Sequence, residues 1–215
     1  IIDAGYEVEI WNGEGEPYAN AQEMIDDVRD NKHMWIYSTE AGFGDTAITE
    51  EQRQQNKLLQ DSGFKDKNGN TLLYNDLFRF VHDFFGHTER GNGFGPVGEE
   101  NAWDVHSRMY TPLARRAMTT ETRGQNSWVN FGPQMRNDKG ELIKKGEEGY
   151  LSPRERAFAP QKMALMPELY SMLENEVEAG VSKLSQEFKG KPSMEEVYNK
   201  AEDLARFNEE FSYFE

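Results

Sequence analysis

The sequence predicts an α+β fold that is mostly helical and carries a small N-terminal sheet. Strand patterns occur only within about the first 75 residues, and apolar residues at three- and four-residue steps dominate afterwards. Thirteen Phe, nine Tyr and four Trp provide large surfaces for burial, although only 36% of the residues are hydrophobic. We therefore expect one domain over residues 1–215, in which 160–215 form a C-terminal helical hairpin.

The N-terminal region reads as strand, helix and strand. Apolar and acidic residues alternate over 6–10, which is typical of a half-buried strand. Asn20 is placed to cap a helix over 21–30, and the apolar run 34–37 predicts a second, mostly buried strand. We expect His33 to lie on the surface at the edge of that strand.

A hairpin and a long helix are predicted next. The Asn68-Gly69 turn signal lies between short apolar stretches around Phe64 and Leu72, which favours a hairpin. Asn75 or Asp76 then caps a helix that carries the histidine-rich motif described below.

The C-terminal region has the clearest helical period. Apolar residues recur at three- and four-residue steps over 167–188, and Pro167 suits the first turn. Ser193 and Glu196 form a capping-box pattern for a last helix that reaches about residue 210. These two helices can pair against the core, or they can make a subunit contact in a homo-oligomer.

Composition excludes several classes of function. The chain has no cysteine, so any metal must use nitrogen and oxygen ligands. Against 39 Asp and Glu there are 24 Lys and Arg, and the net charge of -15 disfavours nucleic acid and anionic membranes as partners. No apolar run approaches 18 residues and no secretory signal is evident. We expect a cytoplasmic protein that acts on a small molecule.

Three of the four histidines fall within 25 residues and lie among carboxylates. His82 and His87 belong to the run His-Asp-Phe-Phe-Gly-His. On an α-helix these two side chains diverge by roughly 140°, so they reach one ion only if the helix ends or tightens between them. Gly86 stands where that break is needed. Asp83 shares a face with His87 and is a candidate catalytic group.

A second segment can supply the remaining ligands. Glu99 and His106 are seven residues apart, two turns along one helix face. Two histidines and one carboxylate leave positions for water or substrate, as in mononuclear non-haem iron and catalytic zinc sites. A divalent metal is therefore expected, with Fe2+ slightly favoured over Zn2+ or Mn2+. The alternative is that the histidines are packed core residues and the acidic pair complements a helix dipole. The predicted ligands are His82, His87, Glu99 or Glu100, and His106.

Two local resemblances bear on the metal. The run HDFFGH resembles the HExxGH histidine pair of the aromatic amino acid hydroxylases, with Asp83 in place of their glutamate. Eleven residues separate His87 from Glu99, and this spacing is similar to the HDxxH-x11-E pattern of a coenzyme-Q biosynthesis family, whose histidine spacer is shorter by one. The hydroxylase resemblance implies oxidation at iron, whereas zinc at the same residues implies hydrolysis.

Two further resemblances leave other functions open. The block NDLFRFVHDFFGH, then GEENAW, then TPLARRAMTTETRGQNSWVNFG resembles an uncharacterised domain of phage and mobile-element proteins. This implies such an origin without a reaction, and a non-enzymatic binding or structural module is then an alternative. His82-Asp83 also resembles the pair of HD-type phosphohydrolases, which need an earlier histidine and a later aspartate. His33 and Asp104 are the available candidates.

Substrate contacts are predicted on the polar run 119–126 and the preceding arginines. A dense polar run beside the metal segment is either a solvated loop or the wall of a polar pocket. A glycine-rich loop over 91–96 reads as a flexible connector or lid. The assignments are Glu121 as acid/base, Arg123 as anion clamp, Gln125 and Asn126 as hydrogen-bonding groups, and Arg115 and Arg116 as holders of an anionic group.

Overall fold

The computed structural model describes residues 1–42, 48–156 and 164–173, and the fold is α+β and mostly helical. Within these ranges all strands precede residue 75, and the later part holds only an isolated bridge between Arg136 and Leu142. The predicted division into an early strand region and a later helical region is confirmed. The strands are β1 (Glu7–Trp11), β2 (His33–Tyr37), β3 (Asp61–Lys65) and β4 (Thr71–Leu73).

Helices make up most of the remainder. The motif segment forms a nine-residue α-helix that continues directly into a π-helix over Asp83–Thr88, and a second π-helix spans Thr120–Gly124. No helix among the described residues is long and apolar enough to cross a bilayer. The α-helices are α1 (Ala21–Asn31), α2 (Thr39–Gly42), α3 (Glu50–Gln55), α4 (Tyr74–His82), α5 (Pro96–Ser107), α6 (Pro112–Thr119), α7 (Gln125–Phe131) and α8 (Glu168–Ser171).

The strands form two separate sheets. β1 and β2 pair in parallel through α1, from Glu7 opposite His33 to Trp11 opposite Tyr37. The predicted cap of α1 is present, because the Asn20 side chain accepts a hydrogen bond from the Glu23 amide at 3.1 Å. β3 and β4 form the predicted hairpin as an antiparallel pair. The expected small sheet is therefore two two-stranded sheets.

The main hydrophobic core joins α1 and the two sheets to the motif helix. Its buried side chains come from β1, α1, β2, β4, α4 and the first π-helix, so the histidine-bearing segment is fixed by its opposite, apolar face. Residues in this core are Val8, Met24, Val28, Met34, Ile36, Leu72, Phe80 and Phe84.

Asp76 anchors the start of α4. One carboxylate oxygen accepts the Leu73 amide at 2.8 Å, and the other accepts the Thr39 amide at 3.0 Å and its hydroxyl at 2.6 Å. Asp76 is fully buried, and these bonds satisfy it. The motif helix is thus tied to β4 behind it and to the segment after β2.

His33 corrects the expectation of a surface residue, because it is 8% exposed. Its Nδ1 lies 2.7 Å from Asp27 Oδ2 on α1, and its Nε2 lies 3.2 Å from Glu9 Oε1 on β1. The parallel pairing places β2 between these two carboxylates. The strand-edge prediction failed because the sequence did not show that α1 and β1 enclose this position.

The chain divides into two compact units. The first contains Ile1–His106 and Thr122–Met163, and the second contains Ser107–Glu121 and Ala164–Glu215. The single-domain assignment stays a prediction. The continuous helix predicted over 167–188 is wrong at Met172, where the backbone after α8 is extended with ψ 141°. The rest of that helix and the predicted last helix lie outside the described residues.

Candidate metal centre

The first π-helix brings His82 and His87 together. Hydrogen bonds in a π-helix run from residue i to i+5, so residues five apart lie on adjacent turns of one face. His82 ends α4 and His87 lies in the π-helix, and their ring centroids are 5.1 Å apart. The two rings converge as predicted. The α-helix ends at His82, but the chain does not tighten or leave the helix there; it continues in the wider coil of a π-helix.

Gly86 has a role different from the predicted helix break. It does not adopt a left-handed conformation. A Cβ at this position would lie 3.0 Å from the Ala102 Cβ and 3.2 Å from the Ala102 carbonyl oxygen. The π-helix and α5 therefore pack closely here, and a side chain at this position would press on Ala102 and on the spacing between α5 and the histidines.

Glu99 completes a three-residue cluster. Its Oε2 lies 3.7 Å from His82 Nε2 and 3.5 Å from His87 Nε2, and one ligand atom from each residue falls within 4.8 Å of the other two. The His87 side chain is 1% exposed and His82 9%, whereas Glu99 is 29% exposed. Solvent thus reaches the cluster at the carboxylate. No other group of three such residues was found in the part of the chain that the structure describes.

Neighbouring groups orient both imidazoles. His87 Nδ1 lies 3.1 Å from the Asn92 carbonyl, which can only accept, so Nδ1 carries a proton and, in the neutral ring, Nε2 has a free lone pair. His82 Nδ1 lies 3.1 Å from His106 Nδ1, and one of these nitrogens must donate to the other. His82 Nε2 is buried and has no hydrogen-bond partner. Ligation through that atom requires His82 Nδ1–H to donate to His106.

The electrostatics favour an ionised carboxylate beside a neutral third histidine. Burial acts to raise the pKa of Glu99, but the two adjacent histidines outweigh it and lower that pKa to about 2. Burial, together with the charge of His82, lowers the pKa of His106 to about 3. Burial opposes protonation of His87, yet Glu99 raises its pKa, so protons compete for the site.

The structure separates the other predicted ligands from this cluster. Glu100 forms an ion pair with Arg123, whose Nε donates to Glu100 Oε2 at 3.1 Å and whose guanidinium lies 4.0 Å from the Trp103 ring centre. His106 contacts His82 through Nδ1 and does not belong to the three-residue group. The geometry thus brings Glu99 to the Nε2 atoms of both histidines, whereas Glu100 pairs with Arg123 and His106 contacts His82 at Nδ1.

The predicted catalytic groups have different surroundings. Asp83 is half-buried at the start of the π-helix, and burial raises the pKa of its carboxyl group against the attraction of His82 and His87. Glu121 is half-buried in the second unit, and burial raises its pKa to about 7. Arg123 belongs to the first unit and binds Glu100. Their roles in catalysis stay predictions.

The predicted substrate-binding residues also fall in both units. In the second unit, Arg115 is buried with Nη1 3.5 Å from the Ser171 carbonyl, and Arg116 donates to the Met166 carbonyl at 2.7 Å. Gln125 begins α7. Asn126 on that helix donates to the Pro96 carbonyl at the start of α5 at 3.1 Å. Binding of substrate by any of them stays a prediction.

Sequence reasoning missed Asn92. Its backbone carbonyl orients His87, and its backbone N–H donates to the His87 carbonyl at 3.0 Å. Its side-chain amide donates to the Gly86 carbonyl at 2.7 Å. The loop that was interpreted as a flexible connector or lid therefore closes the end of the π-helix. An asparagine between two glycines was the available signal, since such a residue commonly bonds nearby backbone.

No protein-family model, curated protein or solved structure matched the chain when it was compared with them. The resemblances to hydroxylases, to a coenzyme-Q family and to phage domains therefore stay expectations.

Proposed function

We propose that the chain is a metal-dependent enzyme that holds one divalent ion through His82 Nε2, His87 Nε2 and the Glu99 carboxylate. The observation that supports this most is that His82 Nε2, which is buried without a hydrogen-bond partner, and His87 Nε2 both face one oxygen of Glu99. A buried nitrogen without a partner carries an energetic cost that an ion at this position would remove.

The distances suit an ion better than direct hydrogen bonding. Metal–nitrogen and metal–oxygen bonds of about 2.1 Å at tetrahedral or octahedral angles place ligand atoms roughly 3.0–3.4 Å apart. The nitrogen–oxygen distances of 3.5 and 3.7 Å lie a few tenths of an ångström beyond this range, and the latter is too long for a hydrogen bond. All three ligand atoms lie within 4.8 Å of one another, so binding the ion requires the side chains to move closer together.

Three protein ligands leave coordination positions open for chemistry. With Fe2+ these positions suit oxygen and an organic substrate, and with Zn2+ they suit an acidified water. We favour oxidation at iron, on the resemblance of the histidine pair to the hydroxylases. The buried histidines hold the ion from the protein side, and the partly exposed Glu99 marks the side on which a substrate arrives.

A zinc hydrolase is the second candidate, but its HD-type form has less support. That mechanism uses the histidine and the adjacent aspartate together as ligands. Asp83 is absent from the group formed by His82, His87 and Glu99. The earlier histidine it would need, His33, lies between Asp27 and Glu9.

Metal reconstitution tests the proposal. Chelator-treated protein is loaded anaerobically with Fe2+, Zn2+ or Mn2+, and elemental analysis and thermal shift are measured. One equivalent of one of these metals and a raised Tm are expected. Glu99→Gln should lose most of the binding, whereas the matched neighbour Glu100→Gln should keep it. Wild-type protein without stoichiometric metal, or equal behaviour of the two variants, would overturn the proposal and favour a non-enzymatic module.

A further inference from the structure

An exposed aromatic ring lies against the proposed metal ligand that is most deeply buried. Phe94 is 43% exposed, and its ring meets the His87 ring edge-to-face with 5.2 Å between centroids. Phe78 stacks on His82 with centroids 6.4 Å apart and the rings 11° from parallel. Apolar rings thus flank both imidazoles, and the partly exposed carboxylate of Glu99 belongs to the same cluster.

The segment that carries Phe94 is held in place from both ends. Before it, Asn92 is bonded to the π-helix at the His87 and Gly86 carbonyls. After it, the Glu99 amide donates to the Gly95 carbonyl at 2.9 Å. A single exposed apolar residue usually needs no explanation, but the Phe94 ring is fixed beside His87, a proposed metal ligand.

Close packing between the loop and α5 gives independent support for a fixed loop. A Cβ on Gly98 would lie 1.8 Å from the Gly93 carbonyl oxygen, a contact that no side chain can make. The loop backbone therefore lies directly on the first turn of α5, which carries Glu99. A ring presented by such a loop is pre-organised, so it loses little conformational entropy when it contacts a ligand.

We propose that Phe94 is a specificity-determining residue that packs against an aromatic or similarly flat apolar group of the substrate. This rests on the proposed function, because the substrate's polar atoms would bind the metal held by His82, His87 and Glu99. The substrate class is then a small molecule whose metal-binding oxygen atoms lie next to an apolar ring. Such a molecule can also carry the anionic group that the arginines near the motif predict for the substrate.

Two hydroxamates of different size test this. Both chelate a divalent ion through the same two oxygens, but benzohydroxamate adds a phenyl ring where acetohydroxamate has a methyl group. Binding to Co(II)-loaded protein is followed by the visible spectrum of cobalt. We expect wild-type protein to prefer benzohydroxamate by about three- to tenfold, as one aromatic contact provides.

Two variants test whether the preference for benzohydroxamate comes from Phe94. Phe94→Ala should bind cobalt but lose the preference for benzohydroxamate, with little change for acetohydroxamate. Phe64→Ala is the matched control, since Phe64 is 54% exposed on β3. It should behave as wild type.

The outcomes distinguish the two proposals. Absence of cobalt binding in wild-type protein would overturn the metal site itself. Equal affinity for the two probes, or a preference that survives in Phe94→Ala, would overturn the role of Phe94 while the metal site stands. Weaker cobalt binding in Phe94→Ala with an unchanged preference would also overturn it, because the ring would then only shield His87.

Discussion

Two buried histidine clusters in the first unit combine the same residue types in opposite geometries. At His33 the two ring nitrogens face two different carboxylates, Asp27 and Glu9, on opposite sides of the ring. At the candidate metal centre two Nε2 atoms face a single carboxylate oxygen of Glu99. Divergent contacts pin three elements together, whereas convergent contacts leave a shared point for a ligand.

The surroundings of the two clusters reinforce this difference. Asp27 and Glu9 have other partners, since Tyr18 donates to Asp27 at 2.7 Å and Lys67 pairs with Glu9 at 3.0 Å. His33 therefore lies in a polar network that joins several elements, although its Nε2, like that of His82, is buried without a hydrogen-bond partner. At the candidate metal centre the neighbours bond the Nδ1 atoms, and the two Nε2 atoms both face Glu99.

The largest effect is expected when one histidine of each cluster is replaced and metal binding by the two variants is compared. His87→Ala should abolish stoichiometric metal while the metal-free protein still folds, at the cost in stability of removing a fully buried side chain. His33→Ala should keep the metal but lower that free energy by about 2 kcal/mol, because two carboxylates lose a buried partner. Elemental analysis and urea denaturation measure the two quantities. Metal loss in both variants would remove the distinction.

His106 provides a sharper test of convergence. His106→Phe removes the acceptor next to His82 Nδ1 at similar volume, and a 10- to 100-fold weaker metal affinity is expected, as is typical when a group that orients a ligand is removed. His106→Gln can restore an acceptor and should recover part of the loss. Complete loss of metal in both variants would instead support His106 as a direct ligand.

Gly86→Ala tests the packing that positions Glu99. The added Cβ would press on Ala102, and overpacking of this kind costs about 1–3 kcal/mol. We expect this loss of stability together with roughly tenfold weaker metal binding, measured by denaturation and by titration with a metal indicator.

The control for that substitution is Gly95→Ala, where a Cβ meets nothing within 4 Å. Gly95→Ala should leave both the stability and the metal affinity close to those of the wild type. If Gly86→Ala also behaved as wild type, the distance between the π-helix and α5 would not depend on the missing Cβ.

The smallest effect concerns acid stability at the His33 cluster. Burial acts to raise the pKa of Asp27, but hydrogen bonds from Asn31, Tyr18 and His33 outweigh it and lower the pKa. Because the folded pKa is depressed, the stabilisation is present above the unfolded value of about 3.9 and is lost as pH falls through the folded pKa.

Asp27→Asn should therefore cost about 1 kcal/mol at neutral pH and flatten the stability curve at acid pH. Denaturation of metal-free protein at several pH values measures this. An unchanged acid profile would show that Asp27 does not contribute through its charge.

Much of the fold could be predicted from local patterns. The strand at β1, the cap at Asn20 and the Asn-Gly turn each reflect short-range physics that the structure bears out, although Glu9 of β1 is buried and not exposed as alternation predicts. His33 could not be placed, because its burial depends on α1 and β1 packing around it. Where the described chain leaves the helix at Met172, apolar periodicity alone overestimated helix length.

The candidate site was predictable as a set of residues but not as a geometry. Periodicity indicated that His82 and His87 belong to one segment, yet a π-helix has no distinctive composition. Adjacent residues on an α-helix differ by about 100°, so the choice between Glu99 and Glu100 depends on how α5 is rotated against its neighbour. That rotation follows from tertiary packing at Gly86 and Ala102, which no local pattern encodes.

The π-helix has a consequence for how such sites are sought. Residues i and i+4 share a face of an α-helix, and motif rules for helical ligand pairs are written with that spacing. One additional residue inside the turn changes the spacing to i+5, but the wider coil absorbs it and keeps both side chains on one face. A pair of metal ligands can therefore keep its geometry after a single-residue insertion, although a motif search that requires the i, i+4 spacing would no longer find it.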